Sequence, residues 1–166
     1  MSGAHMTNGL DLDSLQRRIG EELFVSEWIT IGQDEIDTFA RVTRDPDPMH
    51  IDPAYAKEHG PFGTTVLFGF QILAMLSHFH TPLRGQARHT GRGYELNYGL
   101  NRVRFVQPVR VNTPFRNRVS LKDVQRREDG AFLVTTVNTI EVRGSERPAL
   151  VAEWIGFIAQ DGPAVD

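Results

Sequence analysis

The residues best suited to chemistry lie in one short stretch, Thr43-Arg44-Asp45-Pro46-Asp47-Pro48-Met49-His50-Ile51-Asp52-Pro53. Asp45 and His50 are separated by four residues across a turn that prolines make stiff, so both side chains can face one small volume. A carboxylate beside an imidazole is an acid–base pair, and histidine is the side chain that changes charge near neutral pH. Two other readings of the same residues stay open. One is a rigid proline turn whose aspartates cap helices. The other is an Asp–His–Asp metal site from Asp45, Asp47 and His50, which neither His78 nor His80 is obviously placed to complete.

The flanking elements must position this stretch. Gln33 to Val42 carries Ile36, Phe39, Ala40 and Val42 on one side and Asp34, Glu35 and Asp37 near its start, which predicts an amphipathic helix. The two prolines after Asp45 end it. Asp52 followed by Pro53 predicts an N-cap and a second short helix. Ahead of these, Asp11 to Leu23 has apolar residues at roughly helical spacing, and Phe24 to Ile31 reads as a short strand ending at Gly32. Thr64 to His80 is apolar on every side of a helical wheel, which predicts a helix buried all round.

Four β-type runs follow, Tyr94 to Val109, Pro114 to Arg126, Ala131 to Arg143 and Pro148 to Gln160, with hairpin-type separators between them. The sheet should therefore be mostly antiparallel. In the first run the apolar residues switch from even positions (Leu96, Tyr98, Leu100) to odd ones (Val103, Phe105), which predicts a bulge near Asn101. A bent antiparallel sheet wrapped around one buried central helix is an α+β hotdog architecture. Such a sheet leaves exposed edges, and pairing two copies edge to edge predicts a homodimer.

Composition narrows the function. The 166 residues suit one domain over 11–166, with 1–10 a disordered start that resembles an expression-tag remnant. Lys and Arg number 18 against 21 Asp and Glu, a net charge of −3, which argues against a nucleic-acid partner. With no cysteine there is no disulfide, thiolate nucleophile or Cys-type metal site, and a cytoplasmic location is expected. The longest apolar stretch, Val66 to Leu76, is too short for the roughly 20 residues a bilayer needs, and the start of the chain lacks an export signal pattern.

Asp45 to Pro53 resembles the hydratase motif D-x-N-P-x-H-x-D-P of MaoC-like and (R)-specific enoyl-CoA hydratases, with Asp47 at the Asn position. Pro61-Phe62-Gly63 and the run Thr64 to Phe70 resemble the loop and helix entry that follow in that family. Tyr98 to Val109 is similar to the Y-G-x-x-x-V-R-F-x-x-P-V strand of its nodulation-protein-N-like branch. The resemblance implies a hotdog fold and hydration or dehydration of trans-2-enoyl thioesters, carried by coenzyme A or acyl carrier protein, with an (R)-3-hydroxyacyl product. It implies Asp45 and His50 as the pair that binds and activates water, and Gly69 as the donor of a backbone N–H to the thioester carbonyl. It implies no cofactor beyond the coenzyme A of the substrate, and no metal. Asp47, Phe68 and Tyr98 are expected to line the substrate site. Arg88, with Arg84 and Arg92, is expected to meet coenzyme A phosphates, although a solvated loop explains these three equally well. The chain departs from the pattern at Arg44, where a Gly is usual, at Asp47, and at Leu67-Phe68, where a small residue and a His are usual. A hotdog thioesterase and a non-enzymatic acyl-thioester-binding protein are the competing functions.

Overall fold

The computed structural model describes residues 12–81 and 94–159. Arg84, Arg88 and Arg92, and the expected start over 1–10, lie outside the described residues. In chain order the elements are α1 (Leu12–Gln16), β1 (Glu22–Val25), α2 (Gln33–Thr43), α3 (Pro48–Ile51), α4 (Pro53–Glu58), α5 (Gly69–Ala74), α6 (Leu76–Phe79), β2 (Tyr94–Phe105), β3 (Phe115–Arg126), β4 (Phe132–Val142) and β5 (Leu150–Ala159). The strands form one antiparallel sheet in the order β1-β3-β4-β5-β2. Gly130 and Gly144 take left-handed backbone at the β3–β4 and β4–β5 turns, where a side chain would be strained. β3 and β4 alternate buried and half-buried residues, so one face of the sheet covers the core and the other meets solvent.

The expected bulge in β2 is present. Its register against β5 shifts between Asn101 and Arg104, where Arg102 is left-handed (φ 50°), and again between Asn97 and Gly99. Ile72, Leu76 and Phe79 of α5 and α6 pack in one cluster with Phe115, Ile140, Leu150 and Trp154 of the sheet. Phe79 meets the Phe115 ring edge-on at 5.9 Å. This is the hotdog arrangement of a helix held against a bent sheet.

The central helix differs from expectation in two ways. It begins only at Gly69, because Thr65 to Leu67 are used as a strand: the Leu67 N–H bonds the Val109 carbonyl (2.8 Å) and the Val111 N–H bonds the Thr65 carbonyl (3.1 Å). The β-branched run Thr64-Thr65-Val66 favours that extended backbone. The helix is also not buried all round. Phe70, Ala74 and His78, one turn apart in succession, form an exposed stripe, with Phe70 70% exposed. α1 ends at Gln16, well short of Leu23; its Leu15 packs in a second cluster with Leu121, Val124, Phe132 and Val134. Among the described residues no helix is long and apolar enough to cross a membrane.

Candidate active site

α2 sets the geometry around Asp45. At its start Glu35 Oε2 reaches back to accept the Gly32 N–H at 2.9 Å, one half of a capping box, since Gly32 has no side chain to supply the other. Its end is Arg44, a left-handed C-cap (φ 59°, ψ 34°) whose N–H bonds the Ala40 carbonyl. The helix stops in that conformation, and the chain turns into the prolines. A glycine is favoured at such a position, which accounts for the residue usual there in the resembling family. Asp45 follows, exposed, its Oδ1 accepting the Asp47 N–H at 3.2 Å. It lines a cleft of about 420 Å3 together with Arg41, Arg44, Pro46 and Ile51. Neither His50 nor Gly69 contributes to the wall of that cleft.

Asp47 is the N-cap of α3, and its Oδ1 accepts the Met49 N–H at 2.9 Å. One oxygen of the carboxylate is thus engaged by its own turn. The cap needs only an acceptor, so aspartate and asparagine serve equally. Asp52 caps α4 as expected, accepting from Ala54 and Tyr55 at 3.0 Å each. The proline-turn reading of this stretch therefore holds for Asp47 and Asp52. Among the described residues no group of three or more His, Asp or Glu is placed to hold a metal.

His50 ends one turn further on, half-buried, with its ring held on two sides. Nδ1 lies 2.7 Å from the Val66 carbonyl oxygen. A carbonyl only accepts, so Nδ1 carries the proton and Nε2 of the neutral ring presents a lone pair. The Phe68 ring stacks on the imidazole with centroids 3.8 Å apart. Phe68 is buried and also packs on Phe39 at 5.3 Å. Phe68 is thus a platform for His50, at the position where the resembling family has a His. His50 and Asp45 form no direct ion pair, which leaves each free to contact a third group.

The Val66 carbonyl points at His50 because of strand alternation. Residues 65 and 67 direct their hydrogen bonds to 109–111, so those of residue 66 face the opposite way. Gln33 ties the same parts together. Its Nε2 donates to the His50 carbonyl and to Asp37 Oδ1, both at 2.8 Å, and its Oε1 accepts the Thr65 hydroxyl at 2.6 Å. Neither Gln33 nor Thr65 was expected from sequence, since an isolated Gln at a helix start and a Thr in an apolar run carry no motif.

Gly69 opens α5, whose N-cap Phe68 supplies no side-chain hydrogen bond. A Cβ at Gly69 would lie 3.0 Å from the Phe105 ring. The Phe105 ring would have to give by a few tenths of an ångström to admit it, and that ring also meets Phe70 edge-on at 5.7 Å. Tyr98 is 57% exposed and lines a separate cleft of about 310 Å3 with Phe70, Leu73, Ala74, Leu100 and Trp154. His78 is exposed, whereas His80 is buried and its Nε2 meets Asn138 Oδ1 at 2.7 Å, a structural role.

Residues 14–143 match the family described as MaoC like domain. The chain belongs to that family. It is 40% identical over 152 residues to nodulation protein N of Rhizobium leguminosarum bv. viciae, covering 92% of this chain and 93% of that protein. It is 43% identical over 138 residues to 3-hydroxyacyl-thioester dehydratase Z of Mycobacterium tuberculosis (strain CDC 1551 / Oshkosh), covering 82% and 87%. The fold is similar to the X-ray structure of the monoamine oxidase regulatory protein from Archaeoglobus fulgius, with a TM-score of 0.77 at 23% identity over 94% of this chain and 97% of that one. As a MaoC-like protein the chain has the hotdog fold expected from its helix and strand order.

Proposed function

We propose that this MaoC-like protein interconverts trans-2-enoyl and (R)-3-hydroxyacyl thioesters of coenzyme A or acyl carrier protein by adding or removing water. The observation that carries this reading is the His50 ring. Its Nδ1–H is held by the Val66 carbonyl, so Nε2 is the nitrogen available as a base. The 43% identity to a thioester dehydratase supports the same reaction class.

In the hydration direction, His50 Nε2 takes one proton from water while Asp45 Oδ2 accepts the hydrogen bond of the other. The water oxygen bonds to C3, and the C2–C3 π electrons move toward the thioester carbonyl. The negative charge that develops on that oxygen is met by the Gly69 N–H at the start of α5. One such donor is typically worth about 3 kcal/mol of barrier. The proton held by His50 then passes to C2 on the same face, which gives syn addition and returns the imidazole to its starting state. The acyl chain runs along the cleft between α5 and β2, with Tyr98 and Phe70 on its walls. Arg88, outside the described residues, meets the carrier's phosphates.

The active form is a homodimer. β2 is an edge strand of the sheet, and it exposes Leu96, Tyr98 and Leu100 beside Phe70 of the helix stripe. Long apolar edges of this kind are covered in native proteins.

The test is incubation with crotonyl-CoA, following enoyl absorbance and free thiol separately. Loss of absorbance without thiol release is expected. Thiol release alone points to a thioesterase, and no turnover of any chain length by folded protein removes the proposal.

A further inference from the structure

Gln33, Thr65, Val66 and His50 close a ring of contacts across three segments of chain. The Gln33 side chain holds the main chain of His50, and the Val66 carbonyl holds its imidazole. The Thr65 hydroxyl, buried completely, joins the two by donating to Gln33 Oε1. Asp37, one turn along α2, accepts the second hydrogen of the Gln33 amide and fixes which way that amide faces. Every hydrogen-bonding position of the Gln33 amide nitrogen is thereby used on a defined partner. The same first turn of α2 also reaches the central helix, where Gln71 Nε2 donates to the Glu35 carbonyl at 3.3 Å. One helix start thus touches both the base and the helix that begins at Gly69.

An imidazole bonded through only one ring nitrogen keeps its tautomer only if that bond's geometry is kept. Here the Val66 carbonyl and the His50 main chain are set relative to each other by Gln33 and Thr65, from opposite sides. We propose that Gln33, acting with Thr65, is the positioning residue for His50: it holds the ring in the Nδ1–H tautomer and so keeps Nε2 as the base. This rests on the hydratase reading for its kinetic consequence, but its structural consequence stands apart from any activity. Misplacing a reacting group by about 1 Å costs on the order of 100-fold in rate.

The experiment compares wild type with Gln33→Met, and with the double variant Gln33→Met/Thr65→Val. The double variant removes both ends of the buried hydrogen bond, so no unpartnered hydroxyl is left to unfold the chain. Two readouts are taken on folded protein: kcat and KM on crotonyl-CoA, and the nitrogen-15 and proton NMR signals of the His50 ring. The expected result is a fall in kcat of roughly 10- to 100-fold with KM changed less than about threefold, together with His50 signals moving from the Nδ1–H pattern to a mixture of tautomers. Thr65→Ser with Gln33 intact, which keeps the hydroxyl and its acceptor, retains most of the wild-type kcat and the Nδ1–H pattern. A double variant with wild-type kcat and unaltered His50 signals overturns the proposal. If wild type itself turns over no enoyl thioester, the hydratase reading fails, and the His50 signals alone decide this one: unaltered tautomer in the double variant sinks it, and a mixture sustains it.

Discussion

At the scale of single residues, two aspartates two positions apart do different work. Asp45 is exposed with one oxygen uncommitted, whereas Asp47 spends an oxygen on the turn that starts α3. Asp45→Asn and His50→Ala should each lower kcat on an enoyl thioester by about 100-fold or more, measured on protein whose circular dichroism is unchanged. Asp47 should behave as a cap. Asp47→Asn is expected to leave stability within about 0.5 kcal/mol, and Asp47→Ala to cost about 1 kcal/mol, read from urea midpoints. An Asp47→Asn variant that loses activity while keeping its stability would show that the carboxylate also serves the substrate site. The motif was legible in the sequence, but not this division. Spacing cannot say which oxygen a neighbouring N–H has already claimed.

At the scale of elements, α2 ends in a conformation that disfavours its own residue. A left-handed Arg44 costs about 1 kcal/mol relative to glycine. Arg44→Gly is therefore expected to raise the thermal midpoint, by less than the full relief of strain because glycine's greater unfolded-state freedom offsets part of it. A lower midpoint would show that the Arg44 side chain holds something the backbone does not reveal. Across β3 and β4, Arg118 and Arg116 bond the two oxygens of Glu141, each at 2.7 Å. The hydrogen bond from Arg118 holds the Glu141 carboxyl below the usual carboxylate range, against the opposing effect of its partial burial, and Arg116 adds to the lowering. The group ionises more readily folded than unfolded, so its stabilisation is complete above the unfolded value near 4.5 and drains away as pH falls through the lower folded value. The difference in stability between wild type and Glu141→Gln should be about 1 kcal/mol at neutral pH and should vanish in acid. A difference independent of pH would mean that packing, not charge, is what the substitution removes.

At the scale of the whole molecule, the sheet is complete on one side and open on the other. β1 closes one edge as a strand of four residues, while β2 offers twelve at the other with apolar side chains in solvent. Light scattering at micromolar concentration should give twice the 18.7 kDa chain mass. The double variant Leu96→Lys/Tyr98→Lys should shift the protein toward a single copy by setting like charges against each other across the twofold axis. A wild-type monomer would contradict the proposed assembly and leave the α5–β2 cleft open to solvent.

The amino-acid pattern alone was enough for the antiparallel sheet, the bulge near Asn101, the end of α2 and the cap at Asp52, but not for α3 or the division of the central helix into α5 and α6. Each of the former follows from local chemistry: side-chain periodicity, proline's missing N–H, glycine at turns. The start of the central helix escaped it, because Thr65 to Leu67 are apolar in either conformation and only their partners at 109–111 choose the strand. The exposed stripe of Phe70, Ala74 and His78 escaped it as well, since hydrophobicity does not say which side of a helix another element will reach. The tautomer of His50 belongs wholly to tertiary structure. It is set by a backbone carbonyl sixteen residues away, and every residue has a carbonyl, so no pattern of side chains could point to that one.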